Sequence, residues 1–216
     1  RLEAILRRPL TPDERLRLET TFPAAALAAA TTRWFANTPS QVTRNYGRNP
    51  ALEVSRNGGE NTLIGFDVEA LPSNSAVASA TLELYNVTSS PSLPRRIGLF
   101  QVVRDWDEGT EVNGPIDAPA KHGATGSNAF AYGGGTPANV PWSAPGMASP
   151  ADYALTTLAA ADVGSAGWYQ WDVTALVQRW VRGESANYGL TLRDVTGYQE
   201  GNPDDRPDRA AMRSEM

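Results

Sequence analysis

The 216-residue chain contains no cysteine. That excludes disulfides, thiolate metal sites and a cysteine nucleophile, and it leaves the redox compartment open. Histidine occurs once, as His122 in Ala120-Lys121-His122-Gly123-Ala124, which reads as a loop with a solvated imidazole. A serine triad would have to run through that residue, and no Gly-x-Ser-x-Gly elbow accompanies it. Lysine also occurs once, as Lys121, within 19 basic residues and a net charge of −5. No basic run marks a nucleic-acid footprint, so no nucleic acid is expected as partner. Uncharged stretches are interrupted by Gly, Pro, Ser and Asn, and no membrane span is expected. The chain starts at Arg1 without a signal-peptide pattern, as a processed protein or an excised fragment also would.

What remains is a globular composition, 41% hydrophobic and 20% charged. The most informative stretch is residues 167–193. Val173, Leu176, Val177 and Trp180 recur at i, i+3, i+4, i+7, which predicts one short amphipathic helix over residues 174–182. Asp172 and Thr174 are suited to cap its start, and Gly183 to end it. Burying four such side chains contributes about 1.5–3 kcal/mol each, enough to fix the helix across the end of a sheet. Beyond Asn187-Tyr188-Gly189 the period becomes two, with Tyr188, Leu190 and Leu192 on one face.

The same alternation recurs upstream. Leu52 and Val54 share a face, as do Ile64, Phe66 and Val68, while Ala80, Leu82 and Leu84 alternate with Thr81, Glu83 and Tyr85. Residues 95–103 form a more continuously apolar strand. Asn57-Gly58-Gly59 and Asn45-Tyr46-Gly47 are turns. Several short strands separated by turns predict an all-β fold. Residues 1–30 differ: Thr11-Pro12-Asp13-Glu14 suits a helix start, whereas Leu16, Leu18, Thr20 and Phe22 alternate like a strand. The expected organisation is an N-terminal arm or linker over 1–30 and one β domain over 31–216.

Residues 109–167 hold ten of the 19 glycines and only six Ile, Leu or Val, too few for a core of their own. A loop of this length usually carries function. Its aromatics, Phe130, Tyr132, Trp142 and Tyr153, are candidate ligand-binding residues, with anchors pinning the loop to the sheet as the alternative. Asp105, Asp107 and Glu108 form a carboxylate run whose candidate cation is calcium, although loop charges or capping groups would look the same. No other cofactor is implied, and no positioned partner turns these carboxylates into a catalytic pair.

Taken in order, Asn45-Tyr46-Gly47, Leu63-Ile64-Gly65-Phe66-Asp67-Val68, Ala80-Thr81-Leu82-Glu83-Leu84-Tyr85 and Trp106-Asp107-Glu108-Gly109 resemble the DNRLRE family. Trp142 with Pro145-Gly146 and Trp171-Asp172-Val173-Thr174 through Asn187-Tyr188-Gly189-Leu190 continue the match. These modules are classed with carbohydrate-binding modules and disaggregatase-related domains. The resemblance implies an antiparallel jelly-roll β-sandwich with one short helix and a long Gly/Pro-rich loop. Trp106, Trp171, Asp172, Thr174, Trp180 and Asn187 then stand at structural positions. Met212-Arg213-Ser214-Glu215 looks like the family's penultimate element, so the last strand is expected to be missing and its place filled from outside residues 31–216. Continuation of the protein, or strand exchange with another chain, is the favoured source, ahead of the N-terminal arm.

The functional expectation is a non-catalytic, extracellular or cell-surface module that binds carbohydrate or mediates adhesion. Its partner would be a polysaccharide or a neighbouring protein subunit. The alternative is a structural subunit of an extracellular filament or phage virion that uses the fold as an assembly brick.

Overall fold

A computed structural model describes residues 2–6, 22–24, 26–33, 42–54, 59–87 and 94–196. The motifs expected at 11–14, 16–20, 57–58 and 212–215 lie outside the described residues, and so does any last strand beyond 196.

Two antiparallel sheets make an all-β sandwich. The first has the order β13(Gly167–Asp172), β6(Val77–Asn86), β1(Leu2–Leu6), β2(Phe22–Ala24). The second has the order β12(Ala159–Val163), β7(Arg95–Gln101), β14(Leu190–Asp194), β5(Glu60–Phe66), β3(Ala26–Arg33). Smaller pairs join β4(Arg44–Asn45) to β8(Gly114–Pro115), and β10(Asn128–Tyr132) to β9(His122–Gly123) and β11(Val140–Pro141).

The alternation read from the sequence decides which residues face the space between the sheets. Ile64 and Phe66 from β5, Ile97 and Leu99 from β7, and Leu190 and Leu192 from β14 meet Ala80, Leu82 and Trp171 of the first sheet. Helix α1(Thr174–Val181) closes one end with Leu176, Val177, Trp180 and Val181. The Trp171 indole N–H donates across the sandwich to the Ile97 carbonyl at 3.1 Å, tying the two sheets together.

The second sheet is covered on its other face too. Leu63, Phe100, Val102 and Val195 point away from the first sheet and are buried against Ala124, Ala129, Trp142, Met147 and Tyr153. Burial on both faces explains why β7 reads as a continuous apolar run instead of an alternating one. It also places Trp142, Met147 and Tyr153 of residues 109–167 against the sheet. The segment has too few apolar residues for its own core, and it completes one with the back of the sheet.

One neighbour of β6 comes from outside residues 31–216. The N-terminal β1 pairs with β6 from Leu2↔Leu82 to Leu6↔Val77, and β2 adds outside it. This neighbour of β6 belongs to the chain's own N-terminal arm.

Candidate functional site

Two buried carboxamide and carboxylate hubs hold the long segment in place. Asn45 is fully buried. Its Nδ2 donates to the carbonyls of Glu108 and Ala124 at 2.8 and 2.9 Å, and its Oδ1 accepts from the N–H groups of Gly47 and Glu111 at 3.2 and 3.0 Å. The backbone closes tightly around this amide. A Cβ on Gly47 would stand 1.9 Å from the Glu108 carbonyl oxygen, and Gly109, at φ +94, would place one 2.4 Å from the Asn45 side chain. The two motifs Asn45-Tyr46-Gly47 and Trp106-Asp107-Glu108-Gly109 are thus halves of one joint. Asn45→Ala is expected to cost about 2–4 kcal/mol, since it leaves buried backbone groups without partners. Chemical denaturation of the variant measures it, and a loss below about 1 kcal/mol would contradict the joint.

The other hub is Asp152, whose buried carboxylate accepts from the N–H groups of Ser143 and Ala148 at 3.0 and 2.8 Å and pairs with Arg104 at 3.3 Å.

These hubs decide the fate of the loop aromatics. Trp142 is 4% and Tyr153 0% exposed. The Trp142 indole donates to the Thr125 carbonyl at 2.9 Å, Tyr153 meets Phe100 edge-on at 5.5 Å between centroids, and the Arg193 guanidinium lies 4.5 Å from the centre of the Tyr153 ring. Both are enclosed in the second core, as the alternative of anchors pinning the loop to the sheet expects. Phe130 and Tyr132 are half-buried and share the outer side of β10, with Phe130 packed against the second core.

The carboxylate run does not gather into a metal site. Asp105 is exposed and accepts from the Trp106 N–H at 2.9 Å, Asp107 pairs with His122 Nδ1, and the Glu108 carbonyl serves Asn45. Among the described residues no group of three or more His, Cys, Asp or Glu side chains is placed to hold a metal ion. The calcium expectation gains no support from this arrangement, in which Asp105 and Asp107 are each engaged within the protein. His122 is likewise not a plain solvated loop residue: it stands on β9.

The residues expected to be structural are distributed through the scaffold. The Trp106 indole donates to the Tyr188 carbonyl at 2.8 Å, and the Asn187 amide donates to the Phe66 carbonyl at 2.7 Å. Asp172 acts one position earlier than a standard cap. Val173 is the residue that flanks the helix, and the Asp172 Oδ1 accepts from the Thr174 N–H at 2.8 Å and the Thr174 hydroxyl at 2.6 Å. The Thr174 hydroxyl in turn accepts from the Ala80 N–H at 3.0 Å, which fastens the helix start to β6.

The hydrogen bond from the Thr174 hydroxyl, followed by that from its backbone N–H, holds the Asp172 carboxyl below its ordinary value. A depressed carboxyl stabilises the fold above its unfolded-state value, about pH 4, and this contribution is lost as pH falls through the folded-state value. Asp172→Asn should therefore lower stability near neutral pH and flatten the acid limb of a stability-versus-pH curve, the two proteins converging once the carboxyl is protonated. Equal acid slopes in the two proteins would refute the assignment.

The exposed aromatic surface lies where the sequence showed only a strand. On the outer face of the first sheet, β13 and β6 pair Trp168 with Tyr85, Gln170 with Glu83 and Asp172 with Thr81. Trp168 is 66% and Tyr85 52% exposed, their rings 5.4 Å apart at 74°. On the next rung the Gln170 amide donates to the Glu83 carboxylate. The signal was available: Trp168 alternates with Tyr169 and Trp171 and shares its face with Gln170 and Asp172, so one large ring stands on a polar face. A separate cleft of 540 Å3, lined by residues such as Phe66, Glu69, Trp180 and Asn187, lies at the end of α1.

Among the described residues no helix is long and apolar enough to cross a membrane. No curated protein matches the chain. Residues 28–128, from within β3 to the start of β10, match the model of carbohydrate-binding module family 96, and that match supports a carbohydrate-binding module.

Proposed function

We propose that this chain binds carbohydrate through the outer face of β6 and β13, with Trp168 and Tyr85 as the stacking residues and Gln170 and Glu83 as hydrogen-bonding neighbours. The observation that carries the reading is the exposed cross-strand pair itself. Large aromatic side chains are normally withdrawn from water, and two of them held side by side on a polar sheet face keep apolar ring surface available. The apolar faces of pyranose rings are suited to such surface, while their hydroxyls suit the amide and carboxylate alongside. Family 96 describes modules that bind sugar, which fits this face. The module is non-catalytic in this reading and belongs to an extracellular or cell-surface protein, where polysaccharides are encountered.

A glycan array probed with the wild-type chain and with Trp168→Ala tests the site. We expect the variant to lose about tenfold or more in affinity, equivalent to about 1.4 kcal/mol. Its melting temperature should stay close to that of the wild type, because the ring is mostly outside the packed core. Binding that survives both Trp168→Ala and Tyr85→Ala would place recognition elsewhere.

A further inference from the structure

We infer that this face takes a single soluble glycan chain laid along the strands, and not the flat surface of a crystalline polysaccharide. The inference rests on the site reading above and adds the form of the ligand to it.

A crystalline surface presents many sugar rings in one plane. Gripping it requires several exposed aromatic rings that are coplanar with one another, so that all of them stack at once. Here the two rings meet at 74°. When one lies flat on a plane, the other stands on its edge and contributes almost no stacking area. Trp168 and Tyr85 are direct cross-strand partners with centroids 5.4 Å apart, packed edge to face, one ring's edge against the other's face. Together they form a corner. A corner suits one pyranose, with its apolar face on one ring and its rim against the second.

The rest of the face extends this corner in one direction. Same-face positions along a strand recur about every 6.8 Å. The rung Gln170–Glu83 therefore lies about 6.8 Å beyond the aromatic pair, and the rung Asp172–Thr81 about as far again. Both carry hydrogen-bonding groups and no ring. A chain running along the strands places one sugar in the corner and the following sugars over polar side chains. A sheet of parallel chains would need rings on those further rungs as well.

The test uses the full chain and two forms of each polysaccharide. Soluble oligosaccharides of two to six units from β-1,4-glucan, chitin, xylan, mannan and polyuronate are titrated by calorimetry. Microcrystalline cellulose and crystalline chitin are used in sedimentation assays. Wild type is compared with Trp168→Ala, Tyr85→Ala and Gln170→Ala, with circular dichroism to confirm that each variant is folded. The expected result is binding of at least one soluble series, rising at least threefold from the dimer to the tetramer. Trp168→Ala should weaken it by tenfold or more, Gln170→Ala should remove most of the rise with length, and neither crystalline solid should retain the protein. Retention on a crystalline solid that depends on Trp168 would overturn the single-chain inference and leave the site reading standing, and so would Trp168-dependent binding with no change with length. Binding indifferent to both aromatic substitutions, or no binding to any probe, would overturn the site reading and the inference with it.

Discussion

Excising residues 109–157 and joining the ends with a short Gly-Ser linker is expected to leave no cooperatively folded protein. The segment looks expendable by composition, yet it packs on the back of the second sheet over β5 and β7. Its removal would uncover Leu63, Phe100, Val102 and Val195, which are now buried against Trp142, Met147 and Tyr153. Returning four such side chains to water costs about 6–12 kcal/mol in all, comparable with the entire stability of an ordinary domain, about 5–15 kcal/mol. The excision also takes away two of the Asn45 partners, Ala124 and Glu111, and leaves part of that buried amide unpaired. Thermal melts by circular dichroism, together with limited proteolysis, check the outcome. A deletion variant that melts cooperatively within a few degrees of the wild type would show the segment to be an accessory loop after all.

Trp180→Ala is expected to be the most damaging single change at the closed end of the sandwich. The side chain is 6% exposed and packs among Leu71, Val77 and Val181 in the core between the sheets. Its truncation should cost about 3–5 kcal/mol through lost burial and a cavity that the flanking strands cannot collapse into. In a chain of this size that corresponds to a fall in Tm of about 6–20 °C. Denaturant titration gives the free energy directly. A change under about 1 kcal/mol would mean that this helix face is not part of the core.

Much of the fold was legible because its signals are local. The helix over Thr174–Val181 matches its i, i+3, i+4, i+7 spacing to within a residue of the expected end. The strands Glu60–Phe66, Val77–Asn86 and Leu190–Asp194 follow the alternation that marked them, and the inward set Ile64, Phe66, Ala80 and Leu82 is the set the period-two pattern selects. Even the Asn45 joint was half visible, as a turn at Asn45-Tyr46-Gly47 and a family-like Trp106-Asp107-Glu108-Gly109 motif. What could not be seen was that these two segments, about 60 residues apart, close on the same amide.

The candidate site was less legible, for a reason that lies in how burial is decided. Trp142, Tyr153, Tyr85 and Trp168 are all aromatic, and although Tyr85 and Trp168 share their strand faces with polar residues, alternation by itself does not separate a core ring from a surface ring. Periodicity assigns Tyr85 and Trp168 to one face of their strands but does not say whether that face meets water or another layer. The outcome depends on what packs against each sheet. The back of the second sheet is covered by the long segment, so Trp142 and Tyr153 go inside; the described outer face of β6 and β13 carries no such cover, so Tyr85 and Trp168 stay exposed. By itself, then, the sequence determined the all-β class, the helix, the strand faces and the turns, because each follows from backbone preference and hydrophobic spacing within a few residues. Tertiary structure alone decided which aromatic rings are available to a ligand, because exposure is a property of layers brought together from distant parts of the chain.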